Sequence, residues 1–196
     1  MIFVGDYVNR GPDSYLVLEE LAELHLVLGD RLSLLLGNHE SALLEFLDGG
    51  SKSRFLQHGG LQTVNSYMRR TNADTGAHPL DTFRSTFPVR HRQLLEAMAL
   101  AYETDEILVT HAGFNPNKPR SRSLDDVVLG RHAELFMSRI ELPRPLVVCG
   151  HYVQRSMTPF TAGDFICLDS GCGTIDGAPL SILTLPNREI HTFHGE

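Results

Sequence analysis

Cysteine is scarce in this sequence. Cys149, Cys167 and Cys172 are an odd number, and no two of them form a Cys-x-x-Cys pair. That argues against a disulfide framework and a thiolate zinc site, and it suits a reducing cytoplasm. Positive charge is scarce as well. Seventeen Lys and Arg against 24 Asp and Glu leave a net charge of −7, the wrong sign for a protein that meets nucleic-acid phosphates without regard to sequence. No apolar run approaches the ~20 residues that cross a bilayer. The opening Met1-Ile2-Phe3-Val4-Gly5 lacks the basic and then long apolar pattern of a signal peptide. Internal repeats and low-complexity linkers are absent too.

What remains is an ordinary globular composition: 196 residues, 42% apolar and 21% charged, enough for one domain with a sizeable core. Short runs rich in Val, Ile and Leu recur at residues 2–4, 32–36, 107–109, 146–149, 165–168 and 180–185. Each has strand length, and a strand buried on both faces reads as a continuous apolar run. Pro12-Asp13-Ser14 is a helix-start signal. Val17, Leu21, Leu24 and Leu28 then recur at helical spacing, with Glu19, Glu20 and Glu23 on the other side. Residues 40–47 read as a second helix, residues 53–100 as mostly helical, and residues 126–137 as a further helix. Strands alternating with helices, then strands in succession, predict an α/β core of two packed sheets. The expected organisation is one domain over residues 1–196 with a mostly helical insertion at about 41–100.

Each early strand ends on a side chain that can do chemistry. Residues 2–5 deliver Asp6, residues 34–37 deliver Asn38-His39-Glu40, residues 107–110 deliver His111, and residues 147–150 deliver His151. In α/β proteins such residues gather at the carboxyl edge of the sheet, where ligands bind. One Asp, one Asn and two His form an oxygen and nitrogen donor set that suits Mn, Fe or Zn better than calcium.

GDYVNRG, LLLGNHE, VTHAGF and CGH, in this order, resemble the serine/threonine phosphoprotein phosphatases of the calcineurin-like metallophosphoesterases, the bacterial branch above all. The resemblance implies a sandwich of two mixed sheets flanked by helices. It implies that Asp6 bridges two divalent metal ions and that Asn38, His111 and His151 complete the second site. His39 would protonate the leaving alcohol and Arg10 would clamp the phosphate. Arg131, after Val128-Leu129-Gly130, falls where related enzymes carry a second phosphate-binding arginine. Gly59-Gly60-Leu61 with Thr63 and Tyr67 resembles a bacterial pattern and reads as packing beside the site. A metal pair would activate a shared water for in-line attack on phosphorus.

Two departures follow. The family's Asp-x-His motif, expected about thirty residues upstream of the second, is not in the sequence. The expectation is therefore a chain truncated at its amino end, lacking the first strand and holding one metal where a full-length form holds two. Asn9 stands where the family usually has an aspartate that orients and charges the leaving-group histidine. The expected activity is removal of phosphate from phosphoserine or phosphothreonine in proteins, with Mn as the metal and a phosphorylated protein or small phosphoester as partner. Diadenosine tetraphosphate hydrolysis is the alternative within the class, and a pseudophosphatase that binds phosphate without turnover is the alternative outside it. GNHE in place of GNHD leans toward the protein phosphatases.

Overall fold

The computed structural model describes residues 1–70, 78–137 and 140–195, in two compact units, Met1–Ala99 and Leu100–Glu196. Part of the helical stretch expected over residues 53–100, namely 71–77, lies outside the described residues.

In the first unit β1 (Ile2–Phe3) pairs in parallel with β2 (Ser33–Leu34), Ile2 opposite Ser33 and Phe3 opposite Leu34. Leu35 continues the pairing as a parallel bridge to Ala99. The crossover is α1 (Ser14–Leu28), whose N-cap Asp13 accepts a hydrogen bond from the Leu16 N–H at 3.3 Å. Five helices follow: α2 (Asn38–Leu47), α3 (Lys52–Gln57), α4 (Gly60–Met68), α5 (Pro79–Thr86) and α6 (Val89–Glu96). Ser51 caps α3, and Pro79 opens α5 where its missing N–H costs nothing. Phe46, Phe55 and Phe83 are essentially unexposed and stack at 5.0 and 6.2 Å. Each such ring contributes roughly 1.5–3 kcal/mol of burial.

The stripe Val17–Leu21–Leu24–Leu28 is not the buried face of α1. Leu18, Leu21 and Ala22 are buried, whereas Val17 and Leu24 are 41% and 36% exposed. Leu and Val occur all round this helix, so periodicity alone selects no face. Polar partners decide it. Glu19 accepts from the Nε2 of buried His91 on α6 at 2.7 Å, and the other ring nitrogen of His91 meets the Tyr67 hydroxyl of α4 at 2.6 Å. Burial pushes the His91 imidazole below its ordinary value.

The second unit is built on a five-stranded mixed sheet. Its strands are β3 (Ala101–Glu103), β4 (Ile107–Thr110), β5 (Leu146–Cys149), β6 (Phe160–Ala162) and β7 (Phe165–Cys167), in the order β3-β4-β5-β7-β6. The inner three are parallel and buried, and the two edges run antiparallel. A short helix, α7 (Leu124–Val127), precedes a separate antiparallel hairpin of β8 (Leu180–Thr184) and β9 (Glu189–Phe193). The α/β expectation with a mixed sheet and helices holds, and β3, β6 and β9 are strands that apolar runs did not reveal.

Residues 126–137 are not one helix. α7 ends at Val127, and a 3-10 turn covers Ala133–Phe136. At Gly130 a Cβ would overlap the His132 ring, which bonds to the Asp126 carbonyl at 2.9 Å. That closure turns the chain and leaves Arg131 outside any helix. No helix among the described residues is long and apolar enough to cross a membrane.

Candidate functional site

In the first unit the strand β1 runs into a loop with an unusual backbone. Gly5, Asp6, Asn9 and Arg10 all take positive φ, at 98°, 64°, 72° and 53°. For the three that are not glycine this conformation costs of order 1 kcal/mol or more each, so something must hold the loop. That group is Glu40, in the first turn of α2 and fully buried. Its Oε2 accepts from the backbone N–H of Asp6 at 2.8 Å and of Gly37 at 3.0 Å. Its Oε1 accepts from Tyr7 at 2.7 Å and Val8 at 3.0 Å. Gly37 must be glycine, because a Cβ there would overlap the Asp6 carboxylate and the Glu40 carboxylate. Tyr7 adds a brace. Its hydroxyl lies 2.9 Å from the Leu35 carbonyl and 3.1 Å from that of Phe3, and accepts from the Gly5 N–H at 3.1 Å. Burial pushes this phenol well above its ordinary value.

The loop and the start of α2 bring four of the expected site residues together. Asp6 Oδ1 accepts from the His39 N–H at 3.2 Å, at the positive end of the helix. Asn38 is the first residue of α2 and is buried. Asn9 and His39 are buried and joined, with Nδ2 of the amide 3.1 Å from Nδ1 of the ring. Thr63 of α4 fixes that amide, donating to Asn9 Oδ1 at 2.9 Å and accepting from the Asn9 N–H at 2.8 Å. The amide nitrogen can only donate, so His39 Nδ1 is the acceptor and the ring proton sits on Nε2. That Nε2 lies 3.8 Å from Asp6 Oδ2. Arg10 is exposed, and its N–H reaches the Gly59 carbonyl at 3.3 Å.

In the second unit His111 follows the end of β4 and His151 follows β5. Their rings approach edge to face at 4.9 Å, with His111 Nε2 3.1 Å from His151 Nδ1. The Gly150 N–H ties the two strand ends by bonding to the His111 carbonyl at 2.9 Å. His151 takes φ 68°, which turns its ring out of the strand direction. Two imidazole nitrogens this close together, with no thiolate, fit a divalent transition metal. Cys149 stays a neutral thiol here, since burial pushes it up. Arg131 lines the same recess as His151.

The calcineurin-like phosphoesterase profile matches residues 1–171. The chain belongs to that family. Calcineurin-like phosphoesterases are metal-dependent, in keeping with the donor types on both units. Over 114 residues, 58% of this chain, it is 37% identical to a Nitrosomonas europaea protein named symmetrical bis(5'-nucleosyl)-tetraphosphatase. Over the same length it is 32% identical to a Paraburkholderia phymatum protein of that name. The matched stretch spans 34% and 32% of those two relatives. Among solved structures it resembles a metallophosphoesterase from Sphaerobacter thermophilus, at TM-score 0.54 and 16% identity, over 98% of this chain and 76% of that one. That likeness speaks for the fold of a calcineurin-like phosphoesterase.

Several residues beside the candidates went unassigned in the sequence. The Glu40 carboxylate, in the first turn of α2, belongs to the Asp6 loop. Thr63 was read as packing, yet its hydroxyl orients Asn9. The His58 ring lies 5.0 Å from that of His39. Tyr152 donates to the Ala112 carbonyl at 3.0 Å and accepts from the His132 N–H at 2.9 Å, bracing the segment beyond His151. Their roles were not legible in the sequence, because each acts across about twenty residues or more.

Proposed function

We propose that this protein is a metal-dependent hydrolase that cleaves a phosphoanhydride bond in a bis-nucleoside polyphosphate, the substrate type in its relatives' names. Asp6, Asn38, His111 and His151 would hold the divalent metal, with Mn as first choice and Fe or Zn as alternatives. When bound, it supplies positive charge against the phosphoryl oxygens. Arg10 and Arg131 grip those oxygens through two-pronged guanidinium contacts. His39 offers its Nε2–H to the leaving oxygen.

The observation that carries the choice of substrate is the amide of Asn9 on His39 Nδ1. A ring proton at Nδ1 would meet an N–H donor instead of a carboxylate, so the proton sits on Nε2 and His39 offers the leaving oxygen a hydrogen bond, without the carboxylate support at Nδ1 that favours full proton transfer. A nucleotide phosphate leaves as a weakly basic anion and asks for no more. The alkoxide of serine or threonine asks for a proton.

Hydrolysis of phosphoserine or phosphothreonine in proteins is the second reading, and the intact Nε2–H of His39 is what favours it. The GNHE motif no longer separates the two, because Glu40 is committed to four backbone N–H groups. The free thiols suit a cytoplasmic protein, and residues 1–196 would act as one domain. The deciding measurement is kcat/KM with Mn2+ on diadenosine tetraphosphate and on a phosphoserine peptide. We expect at least about a hundredfold preference for the dinucleotide. Preference for the peptide overturns the proposal in favour of the second reading. Turnover of neither, with phosphate still bound, leaves a pseudophosphatase.

A further inference from the structure

Beyond His151 the second unit opens a recess of about 640 Å³, within the ~300–1,000 Å³ usual for small-molecule sites. Three of its walls are aromatic. The Phe136 ring lies 4.9 Å from that of Tyr152 and 5.0 Å from that of Phe160. Tyr152 cannot swing away, because its hydroxyl is held at both Ala112 and His132. Phe136 is backed by Phe165 at 5.6 Å. The polar part of the lining is Arg131, His151 and Gln154. Arg131 makes no hydrogen bond or ion pair among the described residues. Gln154 is oriented by its Nε2–H, which donates to the Tyr152 carbonyl at 2.6 Å; its other amide atom is an acceptor.

We propose that this recess is the subsite for a nucleobase, with the ring against Phe136 and Phe160 and the attached phosphates toward Arg131 and His151. A flat, rigid base matches the requirement set by the walls, since stacking on aromatic faces is strong and tolerant of base identity. The acceptor of Gln154 matches an exocyclic amino group on the base edge. A phosphoserine side chain carries no such ring. The inference rests on the nucleoside polyphosphate reading and names the residues that would recognise the nucleoside.

The test is binding, so it does not depend on turnover. Titration calorimetry of the whole chain compares ADP with inorganic pyrophosphate at equal Mn2+, and the readout is the ratio of the two affinities. Loss of one stacking face is worth about five- to a hundredfold. Phe160→Leu keeps apolar volume but not the ring face, and should lower the ADP-to-pyrophosphate ratio by that factor, as should Phe160→Ala. Arg131→Ala should weaken both ligands together and leave the ratio near its starting value. A folded Phe160→Leu with an unchanged ratio overturns the subsite, and so does a wild-type protein that binds ADP no better than pyrophosphate. If the ratio falls in the variants while diadenosine tetraphosphate is not hydrolysed, the subsite stands and the proposed reaction fails.

Discussion

Replacing Glu40 should loosen the loop that carries Asp6 and Arg10 before it alters any chemistry directly. The carboxylate is fully buried and accepts four backbone N–H groups, three of them from consecutive loop residues. Hydrogen bonds to a charged acceptor contribute roughly 1.5–3 kcal/mol each, and a buried donor left without a partner costs about 1–3 kcal/mol. The four share one side chain, so their losses do not add. About 4 kcal/mol for Glu40→Ala is the scale expected when a buried network is broken, against a total stability of roughly 5–15 kcal/mol for a domain. Glu40→Gln is the sharper perturbation, because it keeps shape and replaces one acceptor oxygen with an NH2 group. Whichever way the amide turns, two loop or helix N–H groups then face a donor. We expect a loss of about 2 kcal/mol, which moves a urea midpoint by roughly 1 M at a typical slope. Hydrogen exchange should accelerate at the Asp6, Tyr7 and Val8 amides well beyond the global change. If Glu40→Gln melts at the wild-type urea concentration with unchanged exchange at those three amides, the loop is held by something else and the reasoning fails.

Other outcomes follow from the same structure. His111→Ala and His151→Ala should each cut metal-dependent hydrolysis by at least about a hundredfold. His25→Ala, at an exposed position of α1, should leave it unchanged; equal losses in all three would indicate general destabilisation. Asn9→Asp places a carboxylate against His39 Nδ1 and should raise turnover of alkyl phosphates severalfold while barely changing that of dinucleotide polyphosphates. A uniform effect across both leaving groups, read as kcat/KM, would count against the role given to His39. In the second unit Asp126 accepts from Ser121, Asn115 and Ser123 at 2.5, 2.7 and 2.8 Å, and these bonds hold its carboxyl well below the usual carboxylate range. Its contribution is present above the unfolded-state value near ~3.9 and is lost as pH falls toward the lowered folded value. Urea midpoints of wild type and Asp126→Asn should therefore differ most at neutral pH and converge toward pH ~2–3. A gap that does not narrow would refute the assignment.

Sequence alone determined the α/β class and the four strand-end motifs. Strands buried on both faces must be continuous apolar runs, and the turn that follows each must supply its special residues at fixed spacing. Residues 107–109 and 146–149 announced β4 and β5, and with them His111 and His151, because local composition carried the signal. Composition was silent wherever a partner lay far along the chain. The buried face of α1 followed from Glu19 meeting His91, which no helical period encodes. The edge strands β3 and β6 are half wet and short, so no apolar run marks them. The helix read over residues 126–137 ends at Val127, and at Gly130 the absent Cβ leaves room for the His132 ring to reach the Asp126 carbonyl, a matter of space rather than propensity. At the site, the sequence named Asn9 as a departure but could not say which atom faced His39. Thr63, more than fifty residues away, settles that by donating to Oδ1 and turning Nδ2 toward the ring. Only the tertiary structure could do so, because an amide has two chemically opposite ends and the chain's order does not distinguish them.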